Sequence, residues 1–321
     1  MPVVSVKDFV QSALYHPETG YYTVRIRTVG GRQSDFATSA TLSGHLAQAI
    51  VRWMLALSPR PRHLIEVGAG DGSLAEAMLA SLPFWVRRQI RYHVVEASPI
   101  LAERQKQRRL LRRHAIWHPD IQSAVTAAGH RAAVVCNELA DAFPSHLLVW
   151  RDRAWHEVSI DTETLVEHEA PFLENDVPPA PPLDGQRIEH ALSYRDWLAS
   201  WVPSMEQLAL LTIDYGDTYP ALYDRRPGGT LRAYFHHQRL VGHEVFLRPG
   251  RQDITADVNF SALQDWGESL GLRTHELTTQ REFIRAQLGI TQADLHRDLA
   301  LAYLLDPFGP GTAFKVLVQG K

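Results

Sequence analysis

The sequence predicts an α/β protein in which a Rossmann-like sheet of seven mostly parallel strands lies between helices, with long insertions that form a cap. Short β-branched runs alternate with helical patterns along the chain, and the runs end in glycine, an acidic residue or asparagine. Strands that alternate with helices are typical of βαβ units and a parallel sheet. The predicted elements are strands at 63–67, 92–95, 132–136 and 208–213, helices at 74–82 and 100–111, and an antiparallel last strand at 313–319.

The composition is that of a globular protein, with 321 residues, 45% of them hydrophobic, and a net charge of -3. This charge balance gives no reason to expect nucleic acid as a partner, and no stretch approaches the ~18 apolar residues of a membrane span. The single cysteine, Cys136, excludes a disulfide framework. Because the N-terminus also shows no signal-peptide or transit-peptide pattern, we expect a cytoplasmic protein. The histidines form no metal-binding helical pattern, so we expect no metal.

Two long intervals interrupt the regular spacing of strands and helices. One separates the strand ending at Cys136 from the strand beginning at Leu208, and the other runs from Gly216 to about Leu272. Both exceed ordinary βα connections, and such insertions usually carry function or oligomer contacts; a homodimer is one expectation. The predicted organisation is an N-terminal helical and lid segment at 1–45, a first core half at 46–144, an inserted cap at 145–205, and a second core half at 206–321 with an insertion at 217–260.

The most informative segment is Leu64-Ile-Glu-Val-Gly-Ala-Gly-Asp-Gly72, a strand that ends in a glycine-rich turn. Glycines let the backbone approach a ligand closely, and the helix that follows offers unpaired N–H groups. A nicotinamide-binding turn has G-x-G-x-x-G spacing, but its third glycine is replaced here by Ser73. An acidic residue at Glu66 suits the amino group of S-adenosylmethionine. The cofactor candidates are therefore Glu66, Gly68, Ala69, Gly70 and Gly72, and a purely structural glycine turn is the alternative.

Glu96 ends the next predicted strand, 24 residues after Gly72. A carboxylate at this place can accept hydrogen bonds from both hydroxyls of a ribose. Ser98 follows as a further cofactor-binding candidate and as the expected N-cap of the next helix. The alternative is a solvent-exposed glutamate with no ligand.

Asn137, Glu138 and Asp141 follow the fourth predicted strand. Ligands of open α/β sheets bind at the carboxyl ends of the strands, so we expect these side chains beside the reactive end of the cofactor. A spacing of three residues would place Glu138 and Asp141 on one helical face, where two carboxylates could hold a guanidinium. A helix that starts with acidic residues, without any catalytic role, is the alternative.

With these motifs in place, the sequence resembles the MidA-type methyltransferases, a bacterial and mitochondrial family that includes the complex I assembly methyltransferase. The resemblance spans almost the whole chain. The motifs that carry it are Ala13-Leu-Tyr-His-Pro-Glu-Thr-Gly-Tyr-Tyr22, Asp35-Phe-Ala-Thr-Ser39, Val95-Glu-Ala-Ser-Pro99, Asn137-Glu138 with Asp141-Ala-Phe-Pro144, Ile213-Asp-Tyr-Gly216, Gly229-Thr-Leu-Arg-Ala-Tyr234 with His237, Asp253-Ile-Thr255 and Gly311-Thr-Ala-Phe-Lys-Val316.

The resemblance implies a class I methyltransferase fold, S-adenosyl-L-methionine as cofactor, and a protein arginine as methyl acceptor. The acceptor protein would be a respiratory complex I subunit or another arginine-bearing protein. The resemblance also implies that Asp35, Thr38 and Ser39 fold over the cofactor as a lid, and it makes His237 a cleft candidate beside a plain structural histidine. Two further functions remain open: a cofactor-binding assembly factor with little or no turnover, and a nicotinamide-binding oxidoreductase.

Overall fold

The computed structural model describes residues 3–26, 44–181 and 183–321. The strands in these ranges are β1 (Val3–Ser5), β2 (His63–Val67), β3 (Arg91–Val95), β4 (Ala115–His118), β5 (Arg131–Asn137), β6 (His146–Arg151), β7 (Ala154–Asp161), β8 (Glu167–Pro171), β9 (Arg187–His190), β10 (Gln207–Asp217), β11 (Arg232–Phe235), β12 (Gln238–Val241), β13 (Asp253–Thr255), β14 (Val258–Asn259), β15 (Arg273–Thr279) and β16 (Phe314–Gly320).

Helices pack on both faces of the central sheet, and one helix lies in the N-terminal segment. They are α1 (Val6–Tyr15), α2 (His45–Ala56), α3 (Ser73–Ser81), α4 (Phe84–Gln89), α5 (Pro99–Gln107), α6 (Arg109–His114), α7 (Ile121–Ala127), α8 (Leu192–Trp201), α9 (Phe260–Ser269), α10 (Gln280–Leu288), α11 (Gln292–Arg297), α12 (Leu299–Leu304) and α13 (Pro310–Ala313). A π-helical turn at Tyr21–Arg25 follows α1, and short 3-10 turns lie at Ala140–Ala142, Val202–Ser204, Ala221–Tyr223 and Gly242–Phe246.

The central sheet has the strand order β15-β16-β10-β5-β2-β3-β4, and β14 adds a short pairing to β10. β10, β5, β2, β3 and β4 pair in parallel. β16 runs antiparallel to both of its neighbours, β10 and β15. The predicted seven-stranded α/β fold with an antiparallel last strand is therefore confirmed, and that strand spans Phe314–Gly320.

Apolar packing holds the sheet between two helical layers. One layer packs residues of α2, α3, α10 and α12 against it, and the other packs residues of α7, α8 and α9. In the middle strand β5, every residue from Ala132 to Asn137 is buried, as expected for a parallel strand that is covered on both faces. Cys136 is fully buried, and burial raises the pKa of its thiol well above the usual range, so it packs as a small hydrophobic residue.

Two small antiparallel sheets form the cap. One joins β1, β6, β7, β8 and β9, the other joins β12, β11 and β13, and both pack with α1 around a shared apolar cluster. β6 and β7 form a hairpin, with Asp152 and Arg153 at positive φ in its turn. The inserted segment 145–205 is not all cap, however. Its last helix, α8, buries Leu198 and Trp201 beneath the central sheet.

Both edge strands of the central sheet, and a break in one helix, were not predicted from the sequence. The strands β4 and β15 form the two edges of the central sheet, and β15 has no buried residue, so neither shows the hydrophobic run of a buried strand. The predicted helix 100–111 is broken at Arg108, whose side chain bonds to Asp71 and Glu76. Within the described ranges, no helix is long and apolar enough to cross a membrane.

Candidate active site

A cavity of about 800 Å³ lies at the carboxyl ends of β2, β3, β5 and β10. Strand-end residues form its floor, and α1, the π-helical turn after it, and the cap strands β11 and β13 contribute to its walls. This is the edge at which open α/β sheets bind ligands. Its volume is in the range of small-molecule sites, roughly 300–1,000 Å³.

The glycine turn lies on the floor of the cavity. Gly68, Gly70 and Gly72 have φ angles of 69°, 56° and 79°, which side chains with a Cβ rarely adopt. Gly68, Ala69 and Gly70 line the cavity. Gly72 does not line it: a Cβ there would lie 3.1 Å from Arg108 and Gln105. The close packing of α5 and α6 thus explains this glycine without a ligand, and its contact with the cofactor stays a prediction.

Glu96 lines the cavity directly beside the glycine turn, and the Gly70 backbone hydrogen-bonds to its carboxyl. Its Oε1 accepts a hydrogen bond from the Ser98 backbone N–H at 2.9 Å, and its Oε2 accepts one from Gln105 Nε2 at 2.9 Å. Burial raises the pKa of the Glu96 carboxyl, and these hydrogen bonds oppose the rise. The Ser98 hydroxyl accepts from the Leu101 N–H at 3.4 Å and caps α5 as predicted.

Glu66 is almost fully buried at the end of β2, with 2% of its surface exposed. The Tyr92 hydroxyl donates to its Oε2 at 2.5 Å. Burial raises the pKa of Glu66 to about 7, the Tyr92 hydrogen bond opposes this, and the charge of Glu96 adds to it. A cationic ligand group in the cavity would stabilise the ionised form of Glu66.

Asn137 and Glu138 also line the cavity. Asn137 Nδ2 donates to Glu138 Oε1 at 3.3 Å, while the buried Oδ1 of Asn137 has no hydrogen-bond partner in the described part of the chain. Glu138 has a positive φ of 51°. No α-helix lies between β5 and β6. Glu138 and Asp141 therefore do not share a helical face, and that prediction is wrong. Only the 3-10 turn Ala140–Ala142 is present.

A buried carboxylate, Asp214, holds this turn in place of a helix. Its Oδ2 accepts hydrogen bonds from the backbone N–H groups of Leu139, Ala140 and Asp141 at 3.1, 2.9 and 3.2 Å. Asp214 lies in β10, directly beside β5. The side chain thus fixes the loop that carries Asp141.

Asp141 also lines the cavity. Its Oδ2 accepts hydrogen bonds from the hydroxyl of Tyr215 and from Thr255 Oγ1, the latter at 2.8 Å. Burial raises the pKa of the Asp141 carboxyl, and both hydroxyls and the nearby charge of Arg232 lower it. The Arg232 guanidinium lies 4.8 Å from the centre of the Tyr215 ring.

The N-terminal segment closes the cavity at the end where Asp141 lies. Tyr15 and Tyr22 are stacked with ring centres 5.6 Å apart. The Tyr15 hydroxyl donates to the Ala142 carbonyl at 2.9 Å, and the Tyr22 hydroxyl donates to Asp253 Oδ1 at 2.7 Å. The α1 segment is thereby joined to the core loop and to the cap strand β13.

The remaining predicted site residues lie elsewhere. His237 sits exposed at positive φ in the turn between β11 and β12 and is not among the described residues that line the cavity, so its role in the cleft stays a prediction. Asp35, Thr38 and Ser39, the predicted lid, lie outside the described residues. In the ranges that the structure covers, no group of three or more metal-binding side chains comes together.

Several residues that line the cavity or hydrogen-bond to its lining were not assigned a role from the sequence: Tyr15, Tyr22, Tyr215, Arg232 and Asp253 line it, and Gln105 binds Gly70 and Glu96. All six are at or beside the motifs that carry the family resemblance. Nothing in those motifs shows that segments more than a hundred residues apart meet at one cavity.

The residues present fit S-adenosylmethionine. Positive-φ glycines leave room for the ligand at the floor, and a hydrogen-bonded carboxylate at Glu96 matches a ribose. The Oδ1 of Asn137, unpartnered among the described residues, and the carboxyl of Glu66 match an amino group.

Fold and site together define a class I α/β methyltransferase. Residues 45–278 match the model of a family described as S-adenosyl-L-methionine-dependent methyltransferase, and the chain belongs to that family.

Similar proteins agree with this assignment. The chain is 29% identical to the mitochondrial protein arginine methyltransferase NDUFAF7 homolog of Drosophila melanogaster, over 98% of this chain and 81% of the relative. It is 25% identical to NDUFAF7 of Homo sapiens, over 99% of this chain and 75% of the relative. A crystal structure from Burkholderia thailandensis bound to S-adenosyl-homocysteine matches with a TM-score of 0.83 and 26% identity, over 99% of this chain and 88% of that one.

These comparisons confirm the MidA-type resemblance, the S-adenosylmethionine cofactor and the methyltransferase class, and they rule out the nicotinamide enzyme. They contradict the cytoplasmic location. The curated relatives, including those from Drosophila melanogaster, Xenopus tropicalis and Homo sapiens, are named mitochondrial. A single cysteine and the lack of a recognisable leader pattern were insufficient grounds for that prediction.

Proposed function

We propose that this methyltransferase methylates an arginine side chain of a partner protein. The observation that carries the proposal is the charge of the cavity. Among the described residues that line it there are seven carboxylates and a single cationic side chain, Arg232. The relatives named above as protein arginine methyltransferases support the same acceptor.

The acceptor end of the cavity suits a cation in particular. Asp141 and Glu138 line it, and Asp214 lies directly behind them. Burial raises the pKa of Asp214 well above the usual range, and the charges of Asp141 and Glu138 raise it further. Neighbouring carboxylates disfavour one another's ionisation. A guanidinium that enters this space relieves the repulsion and can form bidentate hydrogen bonds with a carboxylate.

The chain's own residues position the reactants. S-adenosylmethionine supplies an activated methyl group on a sulfonium. Glu96 would hold the ribose, Glu66 and Asn137 the amino-acid end, and the Gly68–Gly70 backbone would lie against the cofactor. Catalysis then consists mainly of alignment of the acceptor nitrogen with the methyl carbon.

A proton must also leave the acceptor. A new C–N bond forms as the C–S bond breaks, and the guanidinium nitrogen gives up one proton. The Asp141 carboxylate receives that proton, for which a pKa raised by burial is suitable.

The cap fits an acceptor that belongs to a larger molecule. The helix α1 and the cap strands β11 and β13 contribute to the wall of the cavity, so we expect an extended side chain to reach the reaction centre from outside between them. The identity of the partner, including a respiratory complex I subunit, and the formation of a homodimer stay predictions.

Glu138→Gln and Asp141→Asn test the proposal. Both variants should keep the affinity for S-adenosylhomocysteine, and methyl transfer to protein should fall by roughly 10²-fold or more, the scale for loss of one electrostatic partner of the reacting group. Glu174→Gln, an exposed cap carboxylate away from the cavity, is the matched control. Wild-type transfer rates in both site variants would contradict the proposal.

A further inference from the structure

Two hydroxyl groups converge on one oxygen of Asp141. The Tyr215 hydroxyl and Thr255 Oγ1 both hydrogen-bond to Oδ2, and these two hydroxyls also contact each other. Tyr215 lies at the end of the core strand β10, whereas Thr255 lies in the cap strand β13. The carboxylate is therefore clamped between the core and the cap.

The Tyr215 ring is itself held on more than one side. Arg232 lies over the ring at 4.8 Å, and Phe314 packs edge-on with ring centres 5.6 Å apart. Arg232 is anchored by Asp257 Oδ1 at 2.6 Å and by the Thr230 carbonyl at 3.2 Å. Burial and the charge of Asp141 raise the pKa of the Tyr215 hydroxyl well above its usual range, and the Arg232 guanidinium opposes this rise. The hydroxyl is therefore a stronger hydrogen-bond donor than it would be without that cation.

Arg232 does not compete with a cationic acceptor for the same carboxylate. The Arg232 guanidinium forms its ion pair with Asp257 instead, and this pair balances the charge of Arg232. Its effect on Asp141 passes through the Tyr215 ring and through space.

We propose that Tyr215 is the positioning residue of the acceptor carboxylate: together with Thr255 it fixes Oδ2 of Asp141, so that Oδ1 meets the incoming guanidinium, and Arg232 strengthens the Tyr215 hydrogen bond. This inference rests on the proposed function. In the transfer step the acceptor N–C bond forms, the methyl C–S bond breaks, and the acceptor proton passes to Asp141 and from there to solvent.

Tyr215→Phe removes the hydroxyl and keeps the ring. Affinity for S-adenosylhomocysteine should stay within twofold of wild type, and kcat should fall by up to about 10²-fold, the scale for a misplaced catalytic group. Because the hydroxyl lowers the pKa of Asp141, the acid limb of the kcat/KM profile should move to higher pH. Thr255→Val should move the acid limb in the same direction. Thr255→Ser, which keeps a hydroxyl, should leave the acid limb at its wild-type position.

Tyr194→Phe is the matched control. Tyr194 is a buried tyrosine beneath the sheet, and its hydroxyl lies 3.5 Å from Thr212, away from Asp141. It should leave the pH profile unchanged. An unshifted acid limb in Tyr215→Phe, or the same shift in Tyr194→Phe, would overturn the positioning role.

A measurement that needs no turnover separates this inference from the proposed function. The unfolding free energy of wild type, Tyr215→Phe, Asp141→Asn and the double variant is measured across pH. Coupling between the two substitutions should appear where Asp141 is ionised and vanish at acid pH. Additive effects at every pH would overturn the inference. If the two substitutions are coupled but the protein forms no methylarginine, Tyr215 remains the partner of Asp141. The proposal that arginine is the methyl acceptor is then overturned.

Discussion

The side-chain amide of Gln105 donates to Glu96 Oε2 at 2.9 Å. The same Nε2 also donates to the Gly70 carbonyl at 2.8 Å, and Gln105 Oε1 accepts from Trp117 Nε1 at 3.0 Å. One fully buried glutamine thus ties the carboxylate at the end of β3 to the glycine turn at the end of β2. The ribose-binding carboxylate and the turn form one unit before any ligand arrives.

Glu96→Ala should weaken S-adenosylhomocysteine binding by about 1.5–3 kcal/mol, the range for hydrogen bonds to a charged group. Calorimetric titration measures the change. Glu103→Ala is the control, since Glu103 lies on the following helix, exposed and paired with Lys106. An unchanged dissociation constant in Glu96→Ala would assign Glu96 a structural role only.

Gly70→Val should abolish cofactor binding, because a branched side chain would enter the cavity from a backbone position with φ of 56°. Gly129→Val is the matched control. Gly129 also has positive φ, 61°, but a Cβ there meets nothing within 4 Å, so that variant should suffer backbone strain, roughly 1–2 kcal/mol, and still bind. Normal binding by a folded Gly70→Val protein would show that this turn does not hold the cofactor.

Glu66 should make the stability of the ligand-free protein depend on pH. Its pKa is about 7 in the folded protein against an ordinary 4.5, so the folded state keeps a proton that the unfolded chain loses. The unfolding free energy should therefore fall as pH rises from about 4.5 through 7. Glu66→Gln has no proton to lose at this site and should lack that fall.

The same substitution should weaken the cofactor site. Glu66→Gln is expected to be more stable than wild type at pH 8 without ligand, yet to bind S-adenosylmethionine less tightly, because the amide cannot balance the ligand's positive charge. Thermal unfolding at pH 5.5 and pH 8, with and without cofactor, measures both effects. Equal pH dependence in the two proteins would contradict the assigned pKa.

The sequence predicted the parallel core well because buried parallel strands are continuous apolar runs. The parallel strands β2, β3, β5 and β10 all lie where such runs occur, and so does the antiparallel strand β16. The edge strands β4 and β15 were not predicted, because half-exposed strands carry polar residues and lack a continuous apolar run. Only side-chain packing showed that α8 belongs to the core rather than to the cap.

For the site, the sequence indicated residues at the ends of strands and missed those that other segments bring in. Glu66 lies near the end of one predicted strand, Glu96, Asn137 and Glu138 follow the ends of two others, and all four line the cavity. Arg232 reaches the cavity through the cap sheet, which local patterns do not specify.

The helix expected after β5 is absent for a related reason. The Asp214 carboxylate binds three successive N–H groups of that loop. A contact between residues more than seventy positions apart leaves no trace in the local spacing from which the helix was predicted.

The central claim is that the methyl group passes to arginine. The most direct test incubates the purified protein with S-adenosylmethionine carrying a deuterated methyl group and with a protein extract, and then identifies the labelled amino acid by mass spectrometry after hydrolysis. Asp141→Asn serves as the matched control. We expect deuterated methylarginine with wild type and a strong reduction with the variant. Label on lysine, on a carboxylate or on a small molecule, or no transfer to any acceptor, would contradict the account.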